Sequence, residues 1–203
     1  PETVLVSIVA VQSEIGQIQP LKEISRMLEI YRQKREQTAV AFAPETPFPL
    51  LHTDASQSLL FVDLSPERLG VDLATYGAQK IQGPKGVGVL FKHSAVTLEP
   101  LMRGGKQERG VRPGTENVSG IVGAAKAFEL AAKTRKSRTK QVERVRDFMV
   151  KLLAKEIQRA EINGGCKHRI ENNINISMPG ADGDTLEIRL EGTRVRKEIK
   201  RRG

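Results

Sequence analysis

Residues 71–92 read Val-Asp-Leu-Ala-Thr-Tyr-Gly-Ala-Gln-Lys-Ile-Gln-Gly-Pro-Lys-Gly-Val-Gly-Val-Leu-Phe-Lys, and this stretch decides the fold. The apolar and β-branched run at 71–76 predicts a buried strand, and the run at 86–92 predicts another. Lys80 stands just past the end of the first strand, and glycines and a proline follow it as turn signals. In open α/β sheets, ligands bind at the carboxyl ends of strands, so Lys80 is a candidate functional residue.

Two further strands are predicted upstream: the run at 4–11 is short, apolar and rich in β-branched residues, and a strand at 50–54 follows the proline-containing segment. Between them a helix is predicted from Pro20 to about Arg35. Its apolar face recurs at helical spacing: Ile24, Met27, Leu28 and Tyr31. The segment 37–49 holds three prolines and is predicted to be a surface insertion, whereas 56–60 is predicted to form a short helix.

Downstream, apolar periodicity predicts a helix from Asn117, then a separate second helix. The buried side of that second helix is predicted to comprise Val142, Val145, Phe148, Met149, Leu152, Leu153 and Ile157. A strand is predicted at 173–178, and a helix is predicted to begin within 184–190. These elements indicate an α/β protein with a mostly parallel sheet covered on both faces. A large domain at 1–132 and an α+β small domain at 133–203 are predicted.

Composition narrows the class of protein. Hydrophobic residues make up 38% and aromatics only 4%, so aliphatic side chains must build the core, as in α/β layers. The net charge of +9 is concentrated at 133–169 and 189–202, where a solvated helix face is favoured over nucleic-acid binding.

Cys166 is the only cysteine, which predicts a reducing compartment, and no apolar run approaches membrane-spanning length. We therefore expect a cytoplasmic protein without nucleic-acid or membrane partners. A core strand so close to Pro1 suggests that upstream sequence is absent.

Lys80 and Asp54 together indicate a particular cofactor chemistry. A partly desolvated lysine amine loses its proton readily and can condense with an aldehyde. Asp54 closes the strand at 50–54, and a carboxylate beside a pyridine nitrogen keeps that nitrogen protonated. A lysine in such a place is more often an ordinary surface residue. The prediction of a cofactor site therefore depends on Lys80 and Asp54 together. His52 reads as a strand residue satisfied by packing, and His93 and His168 lack metal-ligand spacing, so no metal site is predicted.

Four ordered motifs make the sequence resemble a known family. They are Glu14-Ile15-Gly16-Gln17-Ile18-Gln19-Pro20, His52-Thr53-Asp54-Ala55-Ser56-Gln57, Gly77 to Gly86, and Gly104-Gly105-Lys106-Gln107-Glu108-Arg109-Gly110-Val111-Arg112-Pro113-Gly114-Thr115. Together they resemble the class V aminotransferases, pyridoxal 5'-phosphate enzymes, and among these the cysteine desulfurases. The resemblance runs from about Val4 to about Leu190.

The resemblance implies roles for individual residues. Lys80 would hold pyridoxal phosphate as a Schiff base and move the substrate α-proton, Asp54 would pair with the ring nitrogen, and Gln57 would bind the phenolic oxygen. Thr115 would reach the phosphate of a partner's cofactor, which implies a homodimer. The implied reaction converts L-cysteine to L-alanine and passes sulfur, as a persulfide, to an acceptor or scaffold protein for iron–sulfur or thio-cofactor assembly.

The chain also departs from the family's pattern. Gly77 replaces a phosphate-binding serine, Gln79 replaces a histidine but keeps a donor, and Ser13 replaces an asparagine, with Gln12 as a possible substitute. The family's N-terminal third and its catalytic-cysteine loop are missing, and the tail at 191–203 is unmatched. Cys166 is interpreted as an inert thiol. Another class V reaction (aminotransfer or selenocysteine lysis) and a non-catalytic remnant therefore stay open, as does nucleic-acid binding through the basic helices.

Overall fold

The computed structural model describes residues 3–38, 48–157, 159–165, 167–180, 186–191 and 194–199. Its centre is a four-stranded sheet in the order β1-β2-β3-β4. The strands are β1 (Leu5–Val9), β2 (Leu50–Asp54), β3 (Leu73–Gly77) and β4 (Gly88–Lys92). β1, β2 and β3 run parallel, whereas β4 is antiparallel to β3. The predicted strands and the mostly parallel sheet are confirmed.

Helix α1 (Leu21–Thr38) connects β1 to β2, and a one-turn helix α2 (Pro66–Leu69) precedes β3. The short helix predicted at 56–60 is wrong, because this segment forms turns. Ser58 Oγ donates to the Ala55 carbonyl at 2.6 Å, which offers that carbonyl a local partner in place of a helical one.

Helix α3 (Val118–Glu156) is a single helix of 39 residues, so the prediction of two helices is wrong. The sequence from Ala124 to Ala160 has neither glycine nor proline, and nothing local therefore interrupts the helix. α3 also runs across position 132, where the sequence pattern placed a domain boundary. That division stays a prediction.

The four strands that the structure describes after α3 form two separate antiparallel pairs. β5 (Glu161–Ile162) pairs with β6 (Ile176–Ser177), and β7 (Leu186–Glu191) pairs with β8 (Arg194–Ile199), both antiparallel. The predicted strand at 173–178 thus shrinks to two residues. The helix predicted within 184–190 is wrong, since the Leu-Glu-Ile-Arg-Leu-Glu sequence alternates with the period of a strand.

The core lies on both faces of the sheet. Leu51 and Ala74 face α1, where Ile24 and Leu28 pack on them. On the opposite face Val96 covers Leu50 and Leu73, with Phe48 and Leu98 beside it. This cover is incomplete, because Leu5 and Val9 of β1 remain 47% and 46% exposed.

Only the first part of α3 is buried. Ala127 and Ala131 pack against Leu59 and Ile81. Farther along, Val145 and Phe148 are 59% and 65% exposed, and Leu152 is exposed as well. The buried face predicted for this part of the helix is therefore wrong for these three residues, because their side chains remain exposed.

Candidate active site at the carboxyl edge of the sheet

The register of the sheet aligns the ends of its three parallel strands. Val9 lies opposite Asp54, and Asp54 lies opposite Thr75. Backbone hydrogen bonds continue past the strands, from Ala10 N to the Asp54 carbonyl at 2.8 Å and from Ala55 N to the Thr75 carbonyl at 2.9 Å. The segments that follow β1, β2 and β3 therefore leave the sheet at one common edge.

Lys80 lies on a short 3-10 turn (Ala78–Ile81) directly after β3. Ala78 and Ile81 are buried, whereas Gln79 and Lys80 are exposed, so the turn is anchored by its ends and presents its middle to solvent. Gly83 closes the turn through a hydrogen bond from its N–H to the Ala78 carbonyl. A Cβ at Gly83 would lie 2.8 Å from that same carbonyl oxygen, so the close approach of the backbone requires glycine there.

Asp54 ends the neighbouring strand and presents an exposed carboxylate. Its Oδ1 accepts a hydrogen bond from Ser56 N at 2.9 Å, and its Oδ2 forms none with the described residues. His52, two residues earlier, lies 2.7 Å from Ser7 Oγ through Nδ1 and 3.3 Å from Thr75 Oγ1 through Nε2. Both ring nitrogens of His52 thus have a partner within the sheet. Asp54 is the polar residue of β2 that is exposed to solvent.

Gln57 and Gln79 bring two amides to the same edge. Gln57 is half-buried in the turn that follows Asp54. The Gln79 side chain folds back over Gly77, since a Cβ on Gly77 would lie 2.8 Å from both Nε2 and Oε1 of Gln79. A serine at position 77 would have to displace this amide, so the two departures from the family's pattern are sterically coupled.

Ser13 is exposed in the turn that follows β1. Gln12 Oε1 accepts hydrogen bonds from Glu14 N at 2.6 Å and Ile15 N at 2.8 Å. The side-chain oxygen of Gln12 is therefore committed to the turn, whereas its Nε2 forms no hydrogen bond with the described residues.

Residues near the other end of the chain hold this turn, and sequence reasoning missed them. Asn173 Nδ2 donates to the Ser13 and Glu14 carbonyls at 3.3 and 2.9 Å, and Asn175 Nδ2 donates to the Glu14 carbonyl at 3.1 Å. The one available signal was the spacing of the two asparagines, which places both on the same side of an extended segment.

Thr115 is exposed on the loop before α3, and no hydrogen bond connects it to Lys80 or Asp54 within the described residues. The structure thus places Ser13, Asp54, Gln57, Gln79 and Lys80 after strand ends at one edge of the sheet, and Thr115 on the loop before α3. Cys166 and residues 39–47 of the predicted insertion lie outside the described residues, as does part of the tail at 191–203.

Two negative findings concern the described part of the chain. It contains no cluster of three or more metal-ligating His, Cys, Asp or Glu side chains. None of its helices is both long and apolar enough to cross a membrane.

Comparison with known proteins assigns the family. The profile described as "Aminotransferase class-V" matches residues 1–196. The chain belongs to the class-V aminotransferase family. This family depends on pyridoxal phosphate, in agreement with the cofactor predicted from Lys80 and Asp54.

Relatives of this family member carry cysteine desulfurase names. Cysteine desulfurase IscS of Dictyoglomus turgidum is 36% identical over 196 residues, which are 96% of this chain and 46% of that protein. A solved structure titled "NIFS-like protein" matches with a TM-score of 0.77 and 37% identity, over 90% of this chain and 46% of that one. A structure titled "SspA in complex with cysteine" matches with a TM-score of 0.50 and 32% identity, over 64% of this chain and 33% of that one. The predicted fold class is confirmed, and the chain spans less than half the length of these relatives.

Proposed function

We propose that this chain is the lysine-bearing part of a pyridoxal-phosphate-dependent cysteine desulfurase. The reaction would convert L-cysteine to L-alanine and pass sulfur on, as a persulfide, to an acceptor or scaffold protein for iron–sulfur or thio-cofactor assembly. One observation carries the proposal: Lys80 and Asp54 are both exposed at the carboxyl ends of adjacent parallel strands. This is where open α/β sheets bind ligands.

The groups at this edge fit the cofactor. Lys80 offers an amine for the aldehyde, and Asp54 offers a carboxylate with one uncommitted oxygen for the ring nitrogen. Gln57 offers a half-buried amide for the phenolic oxygen. On the phosphate side the Gln79 amide lies over Gly77, so a hydrogen-bond donor is retained there without the serine hydroxyl.

The chemistry is divided between cofactor and protein. Pyridoxal phosphate supplies an electron sink for the bonds at the substrate α-carbon. Asp54 would keep a proton on the ring nitrogen, because a carboxylate stabilises a cationic nitrogen beside it. Lys80 Nζ would take the α-proton of the bound amino acid and return it later as a general acid. The thiolate that attacks the substrate sulfur would come from residues outside this sequence.

The names of the relatives support the substrate. IscS is named a cysteine desulfurase, and the SspA structure is titled as a complex with cysteine.

We further propose a homodimer, in which Thr115 from one subunit reaches the phosphate held by its partner. The single cysteine of the chain supports a reducing compartment such as the cytoplasm.

Two alternatives remain under this proposal. Another class-V reaction, such as aminotransfer or selenocysteine lysis, would use the same Lys80 and Asp54, since a fold does not select a substrate. A non-catalytic remnant is favoured by the altered positions Gly77, Gln79 and Ser13.

Absorbance spectroscopy tests cofactor binding. Pyridoxal phosphate is added to the purified chain, and the visible band of the lysine-bound cofactor is followed in the parent, Lys80→Ala and Lys85→Ala. Lys85 is a matched control, because it is another exposed lysine five positions along the same loop. We expect the band in the parent and in Lys85→Ala, and none in Lys80→Ala. Absence of the band from the parent, or its persistence in Lys80→Ala, would contradict the proposal.

Sulfide release from L-cysteine then tests the reaction. Release that is abolished by Lys80→Ala supports a desulfurase. Cofactor binding with transamination but without sulfide would favour the other class-V reactions.

A further inference from the structure

A groove of about 460 Å³ runs between the loop after β2 and the middle of α3. Its walls are formed by Phe61, Asp63, Ala132, Arg135, Lys136, Thr139 and Lys140. It shares no residue with the candidate active site, so the proposed reaction does not account for it.

The helical wall of the groove is strongly cationic. Residues 130–142 of α3 contain five basic residues and no acidic one: Lys133, Arg135, Lys136, Arg138 and Lys140. Lys133 is paired with Glu129, one turn before it. Lys136 and Lys140 form no ion pair with any described residue, and Glu143, three positions after Lys140, pairs with Arg146 instead. Two lysines at this spacing therefore present unneutralised charge on the groove side of α3.

Two further hydrogen-bonding groups of the groove have no partner. Arg135 Nε and Thr139 Oγ1 are buried atoms without a hydrogen bond, and they belong to groove residues four positions apart on α3. A buried donor without a partner is destabilising, because it has lost its hydrogen bond to water. The residues of the groove thus hold two uncommitted polar atoms, of which Arg135 Nε can only donate and Thr139 Oγ1 can donate or accept.

Asp63 is the one acidic residue of the groove. Its carboxylate contacts Arg68, and Arg135 Nη1 lies 3.2 Å from its Oδ1. The hydrogen bond from Arg68, aided by the charges of Arg135 and Arg68, holds the pKa of Asp63 below its ordinary value. Asp63 thus remains ionised and already occupies one arginine, which leaves Lys136 and Lys140 as the open cations.

We propose that this groove binds an acidic segment of a partner protein. Carboxylates of that segment would pair with Lys136 and Lys140 and accept from Arg135 and Thr139, and an apolar side chain would pack on Phe61 and Ala132. Charge complementarity of this kind raises association rates and determines which partner binds.

A nucleic acid fits the groove less well. The cationic stretch from Lys133 to Lys140 is only about 10 Å long, at about 1.5 Å per residue. It is therefore short for binding the phosphate backbone of a nucleic acid. Phe61 is the one aromatic residue of the lining and is half-buried, so successive bases would lack stacking platforms. Asp63 would also repel phosphates.

Fluorescence anisotropy with a labelled peptide tests the proposal. The probe is a decapeptide of glutamates with a central leucine, and the full 203-residue chain is titrated against it. Lys136→Ala/Lys140→Ala is compared with Lys151→Ala/Lys155→Ala, which removes two exposed lysines at the same spacing from the same helix outside the groove. We expect the groove variant to weaken binding about tenfold and the control less than about twofold. Asp63→Asn should tighten binding, because it removes the one competing anion of the groove.

Three outcomes would overturn the inference: no binding of the peptide, an equal loss in both lysine pairs, or tighter binding of a ten-nucleotide oligothymidylate at the same residues. An equal loss would mean attraction by net charge alone. Alanine keeps helix propensity, and circular dichroism of each variant verifies that α3 is intact. The titration contains no cofactor, so its result is independent of the proposed enzymatic function.

Discussion

Gly16 is the residue on which the turn after β1 depends most directly. Its φ is +69°, and a Cβ at this position would lie 2.6 Å from Cβ of Asn173, the residue that holds the turn. The left-handed backbone favours glycine, and the close approach excludes any larger residue. Gly16 thus connects a sequence motif to a contact that the motif alone does not reveal.

Gly16→Ala is therefore expected to lower the free energy of unfolding by about 2 kcal/mol, through backbone strain and displacement of Asn173. Gly86→Ala is the control, because Gly86 has a φ of +78° and open space around its missing Cβ. The control should lose only about 1 kcal/mol, the cost of the backbone conformation. Urea denaturation of both variants makes the comparison, and equal losses would mean that the Asn173 contact is unimportant.

Tyr76 is expected to make the stability of the fold decrease at alkaline pH. Burial, with a smaller contribution from the charge of Glu67, raises the pKa of Tyr76 from 10.0 to about 12. The folded chain thus favours the neutral phenol, so this contribution to stability is present below pH 10 and is lost as pH rises toward 12. In Tyr76→Phe, stability measured by urea denaturation should fall less steeply over that interval than in the parent. Parallel pH profiles would refute this assignment.

At the scale of elements, α3 begins at a side-chain cap. Asn117 Oδ1 accepts a hydrogen bond from Gly120 N at 3.0 Å, which satisfies one of the free N–H groups of the first turn. Because α3 packs on the Lys80 turn through Ala127 and Ala131, its starting position matters for the candidate site.

Asn117→Ala should lower the free energy of unfolding by about 1 kcal/mol, whereas Asn117→Asp should retain stability because aspartate caps equally well. Thermal or urea unfolding followed by circular dichroism measures both variants. If alanine were as stable as asparagine, the side-chain hydrogen bond would not contribute to the helix.

At the scale of the whole molecule, one ion pair connects α1 with the sheet. Arg32 Nη2 lies 2.5 Å from Asp72 Oδ2, and Arg32 Nε donates to the Pro49 carbonyl at 3.0 Å. Asp72 Oδ2 also accepts from Leu51 N at 2.7 Å, and the two side chains are only 15% and 13% exposed. Helix, strand β2 and the entry to β3 therefore meet at one carboxylate.

Removal of that carboxylate in Asp72→Ala leaves the Arg32 charge without a counterion and the Leu51 N–H without an acceptor, and should cost roughly 3 kcal/mol. Lys126→Ala breaks the exposed Lys126–Glu129 pair and should cost less than about 0.5 kcal/mol. Urea denaturation compares the two, and a loss in Asp72→Ala no greater than in the control would contradict the role given to this pair.

The sequence by itself determined the strands, the class of fold and the family. Local features carry this information: the apolar, β-branched run at 4–11 contains β1, and the glycines and proline around Lys80 favour a turn. Residue types at the strand ends fitted the cofactor, and the resemblance of the four motifs to a known family implied which cofactor it is.

Only the tertiary structure decided which distant segments meet. Asn173 lies 160 positions from Ser13 and donates a hydrogen bond to its carbonyl in the turn after β1. The Gln79 side chain covers Gly77 because the 3-10 turn folds it back. Periodicity predicted an apolar face on α3 that Val145 and Phe148 leave exposed. A periodic pattern records a preference of the local chain, whereas burial and pairing depend on a partner whose position the local chain does not encode.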